Sequence, residues 1–207
     1  MIKIALNGFG RIGKLALRRL FDNDISLEFI NDKNGDPGLF AHLLEFDTVH
    51  GRWDRNISND CVSLTVNNQK IPVLREENIA NLPLAGIDIV IDCTGFFKSD
   101  ELLAEYFNKG VQKVIVSAPV KTGAVANLVY GVNENIYDPN IHSIVTAASC
   151  TTNCLAPIVK VIHESLGIIH GSITTIHNVT NTQTIVDRPS KDFRRSRSAF
   201  NSLIPTT

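Results

Sequence analysis

The chain is poor in the features that mark secreted, membrane-spanning and nucleic-acid-binding proteins. Its 207 residues include only four cysteines, too few for the disulfide framework of a small secreted protein. No apolar run approaches the roughly 18 residues that suggest a membrane span, and we expect no signal peptide, because the first strand-like segment begins at Ile2. The net charge of −1 creates no field that would attract nucleic acid or an anionic membrane. We therefore expect a cytoplasmic globular protein with reduced thiols and with no nucleic-acid or membrane partner.

What the chain does contain is an alternation of short β-type runs with segments of helical spacing. A strand-like run at Ile2–Leu6 precedes a helical pattern at Arg11–Phe21 and a second strand at Ser26–Asp32. The further predicted elements are a short helix at 38–46, a hairpin formed by 61–66 and 70–74, strands at 86–95, 111–118, 126–132 and 142–148, and a helix at 101–110 with Gly110 as its C-cap. This alternation predicts an α/β fold with a mostly parallel sheet and helices on both faces.

The pattern changes after Ser149. A helical stretch follows that residue, and residues 171–186 are then rich in β-branched side chains, which is typical of the start of a different sheet. We therefore predict two domains, one over residues 1–149 and the other over residues 150–207.

A glycine-rich motif follows the first predicted strand and opens the first predicted helix. Gly8, Gly10 and Gly13 form the pattern G-x-G-x-x-G, which permits a tight turn and lets a pyrophosphate approach the backbone at a helix N-terminus. Asp32, at the end of the second strand, is placed to accept hydrogen bonds from an adenosine ribose. The pattern predicts a Rossmann-type dinucleotide-binding domain. Asp32 favours NAD because it repels a 2′-phosphate, whereas the adjacent Lys33 could tolerate NADP or be a solvated loop charge.

Two cysteines stand at the junction of a predicted strand and a predicted helix, in the segment ASCTTNCLAP. Cys150 and Cys154 could be half of a zinc site, a disulfide, or one reactive thiol with a buried companion. Zinc lacks a second suitably spaced ligand pair, and cysteines four apart on a helix do not converge. The third alternative fits best, since a helix start stabilises a thiolate and Cys154 would be buried one turn further on. His177 is the candidate base, although the sequence alone cannot place it beside Cys150.

Several of these motifs together resemble those of phosphorylating glyceraldehyde-3-phosphate dehydrogenases. They are NGFGRIG, INDK, DCTGFF, SAP, ASCTTNCLAP and the TTIH…TNTQ stretch, and the resemblance extends from Ile2 to Thr207. It implies that Cys150 is the nucleophile and His177 the base. With the fingerprint glycines and Lys33, it gives the cofactor-binding set Asn7, Gly8, Phe9, Gly10, Arg11, Ile12, Gly13, Asp32, Lys33, Thr94, Gly95 and Ser117. It also assigns phosphate or substrate binding to Ser149, Thr151, Thr180 and Thr182.

The resemblance further implies the reaction and the assembly. The implied reaction is the oxidative phosphorylation of glyceraldehyde 3-phosphate to an acyl phosphate through a cysteine thioester, with hydride transfer to NAD and without a metal. The implied assembly is a homotetramer. Residues 1–149 would be the NAD(P)-binding Rossmann domain and residues 150–207 the N-terminal part of an α+β catalytic domain. Because the family is longer than this chain, we expect the remainder of that domain to be missing and the isolated chain to be inactive.

Several alternatives within and beyond this family stay open. The segments HLLEFDTVHGRW and NTQTIVDRPSKD resemble a paralogue from arsenate-resistance systems, in which arsenate replaces phosphate. In a tetramer Arg188 could join Lys33 in a 2′-phosphate pocket, or it could belong to a charged face. An erythrose-4-phosphate dehydrogenase and a non-catalytic NAD-binding fragment are further alternatives. A semialdehyde dehydrogenase is disfavoured by the SCTTNC motif.

Overall fold

The computed structural model describes residues 2–205 and divides the chain into two compact units, Met1–Gly167 and Ile168–Thr207. Residue 1 and residues 206–207, the outer ends of the two predicted domains, lie outside the described residues. The predicted boundary at 149/150 falls at the N-terminus of a helix that belongs to the first unit, and the division into domains stays a prediction.

The first unit alternates strands and helices along most of its length. Its elements are β1 (Ile4–Asn7), α1 (Arg11–Asp22), β2 (Phe29–Asn31), α2 (Pro37–Glu45), β3 (Ile57–Asn59), β4 (Ser63–Val66), β5 (Gln69–Leu74), β6 (Ile89–Asp92), α3 (Asp100–Asn108), β7 (Lys113–Val116), β8 (Val125–Asn127), β9 (Ile144–Thr146) and α4 (Cys150–Leu166). Short 3₁₀ turns occur at Ile79–Asn81 and Glu134–Ile136.

The nine strands within residues 2–205 form one sheet in the order β3-β4-β5-β2-β1-β6-β7-β9-β8. The pairs from β5 through β8 are parallel, whereas β3, β4 and β5 pair antiparallel. The chain moves outward from β1 to β2 on one side and returns to β6 on the other side. The strand order therefore reverses at β1, and in open α/β sheets ligands bind beyond the carboxyl ends of the strands at such a point.

The apolar core lies on both faces of the sheet. One cluster joins α3, through Leu103, to Ala5 of β1. The other joins α1 and α2, through Leu17 and Phe40, to Leu6 of the same strand. Neighbouring strand residues point to opposite faces, so helices cover both sides. The predicted α/β fold with a mostly parallel sheet is confirmed.

Local sequence accounts for several of the element ends. The side chains of Asp36 and Ser99 cap α2 and α3 by accepting hydrogen bonds from amides three residues on, at 2.7 and 3.4 Å. The C-cap of α3 is Lys109, so Gly110, which was predicted as the C-cap, lies one position beyond it. Gly110 has a left-handed φ of +93°. The strand predicted at 126–132 ends at Asn127, because the side chain of Asn133 turns the chain by accepting from the Val129 amide at 2.7 Å.

The second unit does not contain the strands that its composition predicts. Residues 171–186 were expected to begin a sheet, but between Ile168 and residue 205 the described chain holds only a short 3₁₀ helix, Phe193–Ser196, and no strand. β-Branched residues favour a strand only where a neighbouring strand supplies hydrogen bonds and packing. The described part of this unit offers no such neighbour, so the prediction is wrong for this structure.

Candidate functional site

A cleft of about 370 Å³ lies at the carboxyl edge of the sheet, where β1, β2 and β6 end. Its lining residues are Asn7, Gly8, Asn31, Asp32, Lys33, Asn34, Glu76, Glu77, Asn78, Thr94, Phe96 and Phe97. The position is the reversal point of the strand order, which is where the fold predicts a ligand.

The glycine turn after β1 is packed so closely that two of its positions exclude any side chain. Gly8 has a φ of +92°, and a Cβ there would lie 2.5 Å from the backbone carbon of Cys93. A Cβ on Gly13 would lie 2.0 Å from the carbonyl oxygen of Gly8. At Gly10, by contrast, a Cβ would meet nothing within 4 Å, so the backbone there is open to an approaching group. Gly10 is also the N-cap of α1 and supplies no side-chain cap, which leaves the first amides of that helix available to an anion.

Asp32 is held in a fixed position at the end of β2. One carboxylate oxygen accepts from the amide of Phe9 at 2.8 Å and the other accepts from the amide of Asn34 at 3.0 Å. Each oxygen retains a further lone pair, so the half-buried carboxylate can still accept hydrogen bonds from a ribose. The neighbouring Lys33 forms an ion pair with Glu77, with 2.7 Å between Nζ and Oε1. This hydrogen bond lowers the pKa of Glu77.

A buried polar network ties the strand ends together beneath the cleft. Asn31 donates to Asn7 at 2.7 Å, Asn7 donates to the hydroxyl of Tyr106 at 2.6 Å, and that hydroxyl donates to Asp92 at 2.8 Å. The other carboxylate oxygen of Asp92 accepts from the amide and the hydroxyl of Thr94, at 3.0 and 2.7 Å. Burial raises the pKa of Asp92 and is also the largest cause of the raised pKa of Tyr106. The network fixes the positions of Asn7 and Thr94, which line the cleft.

The predicted cofactor residues divide into those that line the cleft and those that surround it. The lining members are Asn7, Gly8, Asp32, Lys33 and Thr94. The ring of Phe9 is 2% exposed and packs on Phe40 in the core, so this residue offers its backbone to the site. Gly10, Arg11, Ile12 and Gly95 are exposed, while Gly13 is buried in the turn and Ser117 is half-buried beyond β7. Ser117 hydrogen-bonds Cys93, whose thiol has its pKa raised to about 12 by burial.

Sequence reasoning missed seven residues of the cleft. They are Asn31, Asn34, Glu76, Glu77, Asn78, Phe96 and Phe97. Most follow the strands β2, β5 or β6, and the carboxyl end of each parallel strand is a signal for a ligand-facing loop. The sequence does not indicate such a loop after β5, because it predicts that strand only as part of a hairpin.

A second candidate centre lies at the N-terminus of α4. Ser149 is the N-cap, and its hydroxyl accepts from the amide of Thr152 at 3.0 Å. The preceding residue, Ala148, is buried, and its backbone has a left-handed φ of +55°. The turn from β9 into the helix is therefore strained. Cys150 is the first residue of the helix and is exposed. The helix leaves the amides of Cys150 and Thr151 without intrahelical acceptors.

The companion cysteine differs from its prediction. Cys154 is exposed, so the expectation that it is a buried small hydrophobe is wrong. The physical reason is that none of the described residues of α4 is buried, so the second turn of this helix faces solvent. All four cysteines of the chain are free thiols.

The remaining predicted residues lie in the second unit. His177 is exposed, and its Nδ1 lies 2.6 Å from the carbonyl oxygen of Asn178. The hydroxyls of Thr180 and Thr182 lie 3.0 Å apart, which brings together two of the residues assigned to phosphate binding. Cys150 belongs to the first unit and His177 to the second, and their pairing stays a prediction.

Two kinds of feature are absent from residues 2–205. No group of three or more histidine, cysteine, aspartate or glutamate side chains within this range could hold a metal ion. None of the helices in it is both long and apolar enough to cross a membrane.

The strand order and the open glycine turn place the first part of the chain among Rossmann-type dinucleotide-binding domains. Comparison with known protein families identifies the family within this class. Residues 2–100 match the family model "Glyceraldehyde 3-phosphate dehydrogenase, NAD binding domain", and residues 149–207 match the model of the C-terminal domain of the same enzyme. The chain belongs to the glyceraldehyde 3-phosphate dehydrogenase family, which confirms the predicted family and the predicted cofactor, NAD.

Curated relatives agree with this assignment. The chain is 49% identical to glyceraldehyde-3-phosphate dehydrogenase 3 of a Nostoc species and 46% identical to glyceraldehyde-3-phosphate dehydrogenase of Geobacillus stearothermophilus. Each match covers 100% of this chain and 62% of the relative. Glyceraldehyde-3-phosphate dehydrogenase 1 of Bacillus subtilis is 42% identical over the same shares. The chain thus spans less than two thirds of the length of these relatives.

Proposed function

We propose that the chain binds NAD in the cleft beyond β1, β2 and β6 and supplies Cys150 as the nucleophile of glyceraldehyde-3-phosphate oxidation. The observation that carries the proposal is the position of Cys150, an exposed thiol on the first residue of a 17-residue helix. Residues 149–207, the range that matches the family's C-terminal domain, begin at the N-cap of that helix. The curated relatives bear the name of this activity.

The residues around the cleft fit NAD. The open backbone at Gly10 and the uncapped start of α1 suit a pyrophosphate, and the fixed carboxylate of Asp32 suits ribose hydroxyls. When bound, NAD would supply the hydride acceptor of the reaction. The protein's part is to bind and orient it, through residues that the buried network beneath the cleft holds in place.

The chemistry at Cys150 has two halves. In the first, the thiolate attacks the aldehyde carbon to give a thiohemiacetal, whose oxygen is stabilised by the amides at the start of α4. His177 accepts the hydroxyl proton as the thiohemiacetal is oxidised to an acyl thioester. In the second half, phosphate attacks the thioester carbon, and the acyl phosphate leaves as the C–S bond breaks. The hydroxyls of Ser149, Thr151, Thr180 and Thr182 would bind the phosphate groups.

The proposal also includes the assembly, the compartment and the substrates that the resemblance to the family implies. The protein would work as a homotetramer in the cytoplasm, with glyceraldehyde 3-phosphate and inorganic phosphate as its substrates. Arsenate shares the charge and tetrahedral shape of phosphate, so the same hydroxyls could accept it. Parallel assays with phosphate and arsenate, and with glyceraldehyde 3-phosphate and erythrose 4-phosphate, identify the acceptor and the aldehyde.

The test of the nucleophile is competitive alkylation with iodoacetamide at neutral pH, read by mass spectrometry. Cys61 and Cys154 are exposed like Cys150, and they therefore control for accessibility. We expect Cys150 to react first because it alone stands at a helix start. Equal rates at the three exposed thiols would contradict its assignment as the nucleophile.

The test of the base is His177→Asn, with His163→Asn as the control, since His163 is an exposed histidine in the last turn of α4. The first variant should slow acylation by about 10²–10⁴, the usual worth of a positioned general base, and should leave NAD affinity nearly unchanged. NAD binding is measured on the 207-residue chain, and acylation is compared in the longer product if the reading frame continues past Thr207, because the isolated chain is expected to be inactive. NAD binding without acylation in the longer product would favour a nucleotide-binding fragment instead.

A further inference from the structure

We propose that Glu77 is a specificity-determining residue, which holds Lys33 in an ion pair at the rim of the cleft and thereby disfavours NADP relative to NAD. The inference rests on the proposed binding of NAD in this cleft. It addresses a question that the sequence leaves open, namely whether Lys33 is available to a 2′-phosphate.

The sheet brings the two residues together from distant parts of the chain. Lys33 follows β2, and Glu77 follows β5, which pairs parallel with β2 through Asn31 and Leu74. Both residues line the cleft beside Asp32. Their ion pair, at 2.7 Å between Nζ and Oε1, joins positions 44 residues apart in sequence.

The charges around this end of the cleft disfavour a further anion. Among the described residues that line the cleft, Asp32, Glu76 and Glu77 carry carboxylates, and Lys33 is the single ammonium group. Because that ammonium is already paired with Glu77, a 2′-phosphate would meet carboxylates without a free cation. A free ribose hydroxyl would instead find an acceptor in Asp32.

The two side chains of the ion pair are less restrained by their surroundings than the carboxylate of Asp32. The carboxylate of Asp32 accepts hydrogen bonds from two backbone amides, which keep it at the cleft. The side chains of Lys33 and Glu77 are 53% and 70% exposed, so neither is held by packing. Removing the charge of Glu77 would therefore free the lysine to reach a phosphate, and the fold would be retained.

The experiment measures the dissociation constants of NAD and NADP by titration calorimetry on the 207-residue chain. The variants are Glu77→Gln, Lys33→Met and the double variant. The matched control is Asp60→Asn, because Asp60 forms an exposed ion pair with Lys70 at 2.8 Å and does not line the cleft.

We expect Glu77→Gln to tighten NADP binding by about two- to fivefold, the range of an exposed charge pair, with NAD binding changed by less than roughly 1.5-fold. The gain should shrink at high salt and disappear in the double variant. The Asp60→Asn control should leave the ratio of the two constants unchanged.

The possible results distinguish a failure of the proposed NAD binding from a failure of the role assigned to Glu77. Wild-type protein that binds neither nucleotide would overturn the binding of NAD, and this inference with it. If NAD binds but Glu77→Gln leaves NADP affinity unaltered, or if the double variant keeps the gain, the role of the ion pair is refuted and NAD binding stands.

Discussion

Removal of one hydroxyl group, by Tyr106→Phe, should destabilise the first unit far more than its size suggests. The Tyr106 side chain is fully buried, and so is that of Asp92, to which its hydroxyl donates at 2.8 Å. The same hydroxyl accepts from Asn7, which is 4% exposed, at 2.6 Å. Phenylalanine keeps the ring and its packing in the core, so the perturbation is confined to these two hydrogen bonds.

The magnitude follows from what is left behind. The variant leaves an amide hydrogen of Asn7 and one oxygen of Asp92 buried without a partner, and each such group costs about 1–3 kcal/mol, more where it is charged. Asp92 keeps its two bonds from Thr94 on the other oxygen, which limits the loss. We therefore expect the free energy of unfolding to fall by about 2–4 kcal/mol, a large part of the roughly 5–15 kcal/mol of a typical domain.

The assay is urea unfolding followed by the fluorescence of Trp53, the single tryptophan of the chain. Trp53 lies in the first unit and is half-buried, with its ring centroid 6.0 Å from that of Phe21, so its emission reports the unfolding of that unit. With a urea slope of about 2 kcal/mol/M, the midpoint should fall by about 1–2 M at an unchanged slope.

Tyr130→Phe is the matched control, because Tyr130 is 91% exposed and its hydroxyl makes no buried contact. That variant should stay within about 0.5 kcal/mol of the wild type. If Tyr106→Phe is as mild as Tyr130→Phe, the reasoning from buried unsatisfied groups is wrong for this network.

Two further substitutions, Asp92→Asn and Gly13→Ala, test the buried network and the glycine turn, and Gly10→Ala is the control for the second. Burial raises the pKa of Asp92 in the folded protein above its unfolded value of about 3.9, so the stability that this group contributes is present at low pH and is lost as the pH rises through the folded pKa. Asp92→Asn should remove that dependence from urea midpoints measured between about pH 4 and 8, and a variant with the wild-type pH profile would contradict the assignment. Gly13→Ala would place a Cβ 2.0 Å from the carbonyl oxygen of Gly8, so it should lower stability by about 1–3 kcal/mol and distort the turn that we propose binds NAD. Gly10→Ala, whose Cβ has open space, should keep the urea midpoint of the wild type, and equal midpoints for the two variants would count against the close packing of the turn.

The first half of the dinucleotide-binding unit could be predicted from the sequence because its signals are local. A short buried strand, three spaced glycines, a helical pattern and an aspartate follow one another within residues 2–32. The hairpin was predicted for the same reason, and it is present as β4 and β5. The edge strand β3 was missed, since two of its three residues are exposed and polar and show no apolar alternation.

Predictions failed where they depended on what covers a segment. Residues 171–186 are rich in β-branched side chains, as strands are. A strand also needs a neighbouring strand to pair with, and composition does not show whether one is present. No strand forms among the described residues of that unit. Cys154 has apolar neighbours in sequence, yet burial depends on the elements packed against a helix, and the described face of α4 remains exposed.

The charges around Asp32 at the edge of the cleft illustrate why a site is harder to predict than a fold. Lys33, which follows Asp32, would attract a phosphate group if its ammonium were free, and it would do so less when the ammonium is paired with Glu77. Which of these applies depends on the parallel register that aligns Leu74 with Asn31 and so places the loop after β5 beside the loop after β2. The sequence predicts β5 only as half of an antiparallel hairpin with β4. It does not indicate that the other edge of β5 pairs in parallel with β2. The preference for NAD over NADP that we propose would therefore depend on that strand pairing, and Glu77 acquires its proposed role only once the sheet is assembled.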